Sequence, residues 1–251
     1  MAKVRLDDLG DGVRLLTLVD PDRRNAIGPQ MASELVAAAD AVDADRGARA
    51  LVVTGQGPAF CAGADLPALF GDPDRPVAQT RTALHGYYRS FLRVFELTLP
   101  TIAAVNGPAV GAGLNLALAC DLRVAGAQAS FGVTFARIGL HPGGGCSWFL
   151  VRLIGAGAAL RTLLLGETLD AERAVAAGLA DGPEHDAVAA ALDVAGRIAR
   201  LDPDLARHIK RSVRLAASGA GFEAVLEYET WAQAASARSP VLREWVDRFR
   251  G

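Results

Sequence analysis

Two glycine-rich turns carry the chemistry this sequence offers. The first, Phe60-Cys-Ala-Gly-Ala64-Asp65-Leu66, follows a short apolar run. The second, Asn106-Gly-Pro-Ala-Val-Gly111-Ala112-Gly113-Leu114-Asn115, turns a predicted strand into a helix. Glycine lets a backbone take positive φ and approach a ligand closely. The N–H groups at a helix start lack an intrahelical partner and sit at the positive end of the helix dipole. Two such N–H groups from separate turns, aimed at one point, make an oxyanion hole, in which one donor is worth roughly 3 kcal/mol of transition-state stabilisation. Taken singly, each turn reads equally well as a tight turn around a packed core.

Other chemistries fail on spacing. A dinucleotide fingerprint starting at Gly111-Ala-Gly113 needs a glycine at position 116, which is Leu116. No phosphate-loop motif occurs, and Ser147 lacks the second glycine of a nucleophile elbow. The three cysteines, Cys61, Cys120 and Cys146, have no metal-ligand spacing. Cys146 reads as a small packed thiol, and Trp148 and Phe149 as core. Histidine is the natural acid/base near neutral pH. His141 lies in Gly139-Leu-His-Pro-Gly-Gly-Gly145, and His85 stands beside Tyr87 and Tyr88; each also reads as an ordinary surface or loop histidine.

The elements that must position these turns alternate. Val13 to Val19 reads as a strand, and Pro29 opens a helix whose apolar positions Met31, Leu35, Ala39 and Val42 follow helical spacing. Leu51 to Thr54 is a buried strand, Val77 to Leu97 a long helix, and Thr101 to Val105 the next strand, with a helix starting near Gly111. This order predicts an α/β core with largely parallel strands over residues 1–185. From Asp186 to Gly251 only helical periodicity remains. One helix starts at Asp202-Pro203 with Leu205, Ile209, Val213 and Ala216 on one face, and the last runs from Pro240 to Phe249.

Composition bounds the rest. The chain has 251 residues, 51% of them hydrophobic, which is ample for a core, and its net charge of −2 gives no reason to expect nucleic acid. Lys3 and Lys210 are its only lysines. The odd cysteine count fits a reduced cytoplasmic compartment. The N-terminus lacks an apolar signal core, and charged residues interrupt every long apolar stretch, so no membrane span is expected.

Together the motifs resemble a family. Asp22-Arg-Arg-Asn-Ala-Ile27, Ala59-Phe-Cys-Ala-Gly-Ala-Asp-Leu66, Ile102-Ala-Ala-Val-Asn-Gly107 and Ala119-Cys-Asp-Leu-Arg123 occur in order, and they resemble the crotonase (enoyl-CoA hydratase/isomerase) superfamily from about Val4 to Gly182. The resemblance implies a spiral of repeated β-β-α turns and a C-terminal helical region involved in trimerisation, as a homotrimer or dimer of trimers. It implies a cleft for acyl-CoA or enoyl-CoA thioesters, with no metal or redox cofactor. Carried over by motif, the N–H groups of Ala64 and Ala112 grip the thioester oxygen. Asn25 and Ala26, and the backbone of Ala62, Gly63, Ala64, Asp65 and Leu66, cradle the adenine and pantetheine, and Arg23 or Arg24 reaches a CoA phosphate. Asp65 is also expected to cap the segment after it.

The sequence departs from that family where the proton chemistry belongs. Hydratases use two glutamates; here those positions are Asn115 and Phe135. Related isomerases carry an acid at the position of Gly143. Asn115 can orient a water but not carry the proton, and Phe135 lines an apolar pocket. The expectation is an acyl-CoA enzyme with a non-standard reaction, His141 first and His85 second as proton carriers. The alternative is a non-catalytic acyl-CoA-binding protein, and the two differ in whether either histidine faces the cleft.

Overall fold

The computed structural model describes residues 1–249. Its contacts divide it into two units, Met1–Arg200 and the chain from Leu201 onward. The first unit winds as a spiral. Strand β1 (Val4–Asp8) pairs antiparallel with β2 (Val13–Leu18), and α1 (Pro29–Ala44) follows. Then come β3 (Ala50–Gly55), α2 (Leu66–Phe70) and α3 (Val77–Glu96). Next are β4 (Thr101–Val105), β5 (Pro108–Val110) and α4 (Ala112–Ala119), then β6 (Leu122–Gly126), β7 (Ser130–Gly132) and α5 (Cys146–Leu165). The unit closes with β8 (Thr168–Asp170), α6 (Ala171–Ala176), β9 (Asp181–Glu184) and α7 (Ala187–Ala199).

Each turn gives one strand to a large sheet, in the order β1-β2-β3-β4-β6-β9, and one to a small sheet, β5-β7-β8. The first two turns reach the small sheet through single parallel bridges, Ile27 with Ala64 and Cys61 with Ala109. The β-β-α spiral expected from the resemblance is therefore present. From β2 to β9 the large sheet is parallel, and its central strands β3 and β4 are buried on both faces, as in parallel sheets generally. All six residues of β3 are buried.

Helical spacing explains how the layers close. In α1, the buried residues are Met31, Leu35, Ala39 and Val42, the four anticipated from their period. Fully burying a side chain such as Leu35 contributes about 1.5–3 kcal/mol. All eight residues of α4 are buried, so Asn115 is a polar group placed inside the core. On the other face of the large sheet, α7 lays Ala187, Ala191 and Ala195 against Val52, Ile102 and Val124.

That packing corrects the expected boundary at 185/186. Helix α7 lies with the α/β core because an alanine stripe spaced by four gives it a flat face for the sheet, and the division falls at Arg200/Leu201. A second correction concerns Trp148, which is 42% exposed with the Arg152 guanidinium 3.8 Å over its ring. Phe149 is buried as expected.

Helix α5 is long and apolar enough to cross a membrane by length and composition. Gly155 interrupts it with non-helical φ 76° and ψ 162°, leaving two pieces that are each too short for a bilayer.

The second unit contains α8 (Pro203–Ala217), α9 (Phe222–Ser236) and α10 (Pro240–Arg248). The α8 stripe forms as read, but Ile209 and Val213 lie open, 51% and 64% exposed. His208 Nδ1 and the Tyr228 hydroxyl, 2.6 Å apart, tie α8 to α9.

Candidate active site

The two glycine-rich turns meet at the small sheet. In the parallel bridge between Ile27 and Ala64, the Ile27 N–H donates to Gly63 O (2.7 Å) and the Asp65 N–H donates to Ile27 O (3.2 Å). The residue opposite the bridge gives neither of its own groups to that partner, so the Ala64 N–H is left free on the far side. In the second turn, the Gly111 N–H donates to Gly132 O at 3.0 Å. Gly111 takes φ 53°, and Ala112 is the first residue of α4, so its N–H has no intrahelical acceptor.

Glycine is needed to bring these segments together. Gly63 has φ +104°, and a Cβ there would come within 2.7 Å of the Val110 carbonyl oxygen and 3.6 Å of the Ala112 nitrogen. A Cβ on Gly113 would run into the Cys61 carbonyl.

Both Ala64 and Ala112 line a cavity of about 100 Å³. Leu66, Leu69 and Phe70 form one apolar wall, and Phe135, Ile138 and Leu140 another. Leu84, Tyr87 and Tyr88 of α3 and Asn115 of α4 complete it. Among the described residues that line it, none carries a carboxylate or an imidazole.

Asn115 is 1% exposed. Its Nδ2 donates to the Gly143 carbonyl oxygen at 2.8 Å, and its buried Oδ1 has no hydrogen-bond partner. Phe135 sits in a short 3₁₀ turn, Phe135–Ile138, and packs its ring against the core edge, consistent with an apolar wall.

The structure does not bring the two histidines into this cavity. His141, expected as the first proton carrier, is exposed, and its Nδ1 lies 2.7 Å from the Pro142 carbonyl oxygen. The proline after it and the glycine run fix the loop so that Leu140, not His141, turns inward. His85 is also exposed and borders a neighbouring open groove with Val77, Thr80 and Arg81. On α3, Leu84, Tyr87, Tyr88 and Phe91 share a face at spacings of three, four and seven, and His85 points off that face.

Asn25 is fully buried with φ 57°. Its Nδ2 donates to Gln56 O (3.0 Å), Ala59 O (2.9 Å) and Phe60 O (3.2 Å), and its Oδ1 accepts from Asp20 N (2.9 Å). The side chain therefore clamps the loop before the first turn and has no donor left for a ligand. Arg24, also left-handed at φ 50°, passes its carbonyl to the Ala62 N–H at 2.8 Å, while its side chain is exposed. Ala26 is half-buried beside it.

Arg23 is committed to Asp65, with Nη2 3.0 Å from Oδ2. That hydrogen bond raises the guanidinium pKa and holds the Asp65 carboxyl below its ordinary range. Asp65 also accepts from the Ala68 N–H at 3.4 Å, capping α2 as expected.

The thiols of Cys61 and Cys146 are buried. Burial pushes both Cys61 and Cys146 up to about 12. All three cysteines are free, and among the described residues no group of His, Cys, Asp and Glu could hold a metal.

Comparison with known proteins joins this geometry to a lineage. The enoyl-CoA hydratase/isomerase family model matches residues 8–248. The chain belongs to the enoyl-CoA hydratase/isomerase family. It is 45% identical over 236 residues to "Probable enoyl-CoA hydratase EchA14" of Mycobacterium tuberculosis, covering 91% of this chain and 90% of that protein. It is 37% identical over 175 residues to 1,2-epoxyphenylacetyl-CoA isomerase of Escherichia coli, covering 69% of this chain and 67% of that one. The crystal structure of an enoyl-CoA hydratase from Bacillus anthracis superimposes with a TM-score of 0.89 at 29% identity, over 99% of this chain and 96% of that chain.

In this member of the enoyl-CoA hydratase/isomerase family, the side chain that sequence reading passed over is Tyr88. Its ring lines the cavity, and its hydroxyl occupies the space that a side chain at position 143 would need. Desolvation raises its pKa and keeps it protonated. The signal was available: a helical wheel of α3 puts Tyr88 on the inward face and His85 outside it.

Proposed function

We propose that the chain handles acyl-CoA thioesters as an enzyme of this family, gripping the thioester oxygen with the N–H groups of Ala64 and Ala112. The observation that carries this reading is that Ala64 and Ala112 line one apolar cavity and neither N–H is committed to an acceptor. Donors fixed in advance act where charge develops, so they favour the enolate form of the thioester over its neutral form. Asn115 and Phe135, which the resemblance aligns with the hydratase glutamates, line the same cavity. Neither side chain can act as a general acid or base, so glutamate-driven hydration is not the reaction we assign.

A second reading, acyl-CoA binding without turnover, is favoured by one observation. Neither histidine lines the cavity, and no carboxylate among the described residues does so. The Ala62–Leu66 backbone and Ala26 remain our choice for the pantetheine and adenine cradle. Exposed Arg24 is the freer of the two arginines for a CoA phosphate. The exposed apolar residues Ile209, Val213, Trp231 and Trp245 of the second unit support a homotrimer or dimer of trimers. The free cysteines support a cytoplasmic setting.

The test is a thermal melt with acetyl-, crotonyl- and decanoyl-CoA, followed by loss of enoyl absorbance. At a hundred-fold excess over Kd, binding stabilises by roughly 2.7 kcal/mol; no shift at millimolar ligand overturns the reading. Wild type is expected to hydrate crotonyl-CoA negligibly. Asn115→Glu with Phe135→Glu should gain measurable hydration, and either single change little, because two carboxylates hold one water. Robust wild-type hydration would refute the assignment of a non-standard reaction.

A further inference from the structure

The Ala64 N–H is the open end of a hydrogen-bonded chain that begins on a side chain of α3. Its peptide is shared with Gly63, and the Gly63 carbonyl oxygen accepts from the Ile27 N–H at 2.7 Å. The Ile27 N–H shares its peptide with Ala26, whose carbonyl oxygen accepts from the Gly28 N–H at 3.0 Å. The Gly28 N–H shares its peptide with Ile27, whose carbonyl oxygen accepts from the Tyr87 hydroxyl at 3.3 Å. The order is therefore Tyr87 O–H, the peptides Ile27–Gly28, Ala26–Ile27 and Gly63–Ala64, and then the cavity.

Every link points the same way. A peptide that accepts at its oxygen donates more strongly at its nitrogen, and serial bonds reinforce one another by roughly 10–30% each. Ala64 has more need of this than Ala112. The Ala112 N–H opens α4, and the Gly111 carbonyl of its peptide accepts from the Asn115 N–H at 3.0 Å, so the helix itself polarises that donor. Ala64 instead precedes Asp65, the N-cap of a helix of only five residues.

Tyr87 is well placed to start the chain. It lines the cavity wall beside Leu84 and Tyr88, and its ring meets Phe91 edge-on with centroids 5.9 Å apart. Burial raises its pKa, so the hydroxyl keeps its proton and remains a donor. The Ile27 oxygen does not need that donor to be satisfied, because the Asp65 N–H reaches it at 3.2 Å. The phenol thus adds polarisation to a carbonyl that already has a partner, and does not rescue an orphan acceptor. We propose that Tyr87 is a positioning residue for the pair of N–H groups, polarising the Ala64 N–H through this run of peptides and so strengthening its hold on the thioester oxygen. The inference rests on the acyl-CoA reading above and deepens it, by naming a side chain that sets the strength of the grip from a distance.

The experiment compares butanoyl-CoA by calorimetry with S-butyl-CoA, the thioether that lacks the carbonyl oxygen. Wild type should prefer the thioester about ten-fold, a difference of about 1.4 kcal/mol. Tyr87→Phe keeps the ring and leaves the Ile27 oxygen its Asp65 partner, so it should fold. It should cut the preference to about three-fold and leave the S-butyl-CoA Kd unchanged. Isotope-edited infrared spectra of the thioester carbonyl give a second readout: its stretch should fall on binding to wild type and move part of the way back in Tyr87→Phe. A ten-fold preference and an unmoved stretch in Tyr87→Phe overturn the proposal and leave the acyl-CoA reading standing. Equal loss of affinity for both compounds, or failure to fold, also overturns it, since either marks a packing role. A wild type that binds both compounds equally, or neither, overturns the grip by Ala64 and Ala112 as well.

Discussion

Substituting Gly113 by alanine tests whether close approach of the two turns sets the pair of N–H groups proposed to grip the thioester. The new methyl would collide with the Cys61 carbonyl and lie 2.7 Å from Cys61 Cβ. That carbonyl cannot retreat freely, because it accepts from the Val110 N–H at 2.9 Å within the bridge that joins the first turn to β5. The start of α4 must therefore back away from residues 61–64, carrying Ala112 away from Ala64. Overpacking of this kind costs typically 1–3 kcal/mol. Loss of one neutral hydrogen bond to a bound thioester costs about 0.5–1.5 kcal/mol, roughly two- to twelve-fold in Kd. Urea denaturation reads the first quantity and calorimetry with butanoyl-CoA the second. Gly86→Ala is the control: Gly86 lies in the exposed part of α3 with nothing within 4 Å of the added Cβ. Its alanine should stabilise the fold by about 0.5–1 kcal/mol without touching affinity. A Gly113→Ala protein with wild-type stability and a Kd within two-fold of wild type would refute the reasoning.

Asn25→Ala should destabilise by about 3 kcal/mol or more, because it strips partners from buried carbonyls and puts alanine at φ 57°. A loss below 1 kcal/mol in urea would show that the clamp is not structural. For Cys61 and Cys146, the folded thiols are pushed up to about 12, above the unfolded value. Their contribution to stability is thus fully present below about pH 8.5 and declines as pH rises from there towards 12. Neither thiol should react with a disulfide reagent at pH 8 until the chain is unfolded; rapid labelling of either in the native protein would contradict the burial.

The spiral was legible because each of its signals is local. The helical period of Met31, Leu35, Ala39 and Val42 in α1 needs no partner to be read, and neither do Pro29 at its start, the apolar run of β3 or the glycine-rich turns. Even Asp65 as a cap follows from one residue and the helix after it. Ala64, Ala112, Asn115 and Phe135, which the family resemblance singled out, line one cavity, because the spiral turns the spacing of their motifs into proximity.

What it could not decide was direction and competition among distant groups. His141 and Leu140 are neighbours in sequence, yet only the folded loop sends Leu140 inward and leaves His141 in solvent. Asn25 reads as a polar residue free for a ligand, until three carbonyls from 31 to 35 residues away claim its amide. The domain boundary moved because α7 has the same periodicity whether it joins a helical tail or covers a sheet; the alanine stripe fits only because β3, β4 and β6 form a flat surface there. The meeting of Tyr88, Asn115 and Gly143 is likewise invisible in the chain. A missing side chain on one loop creates room for a phenol from a helix 55 residues earlier in number, and only packing makes that vacancy and that hydroxyl the same place.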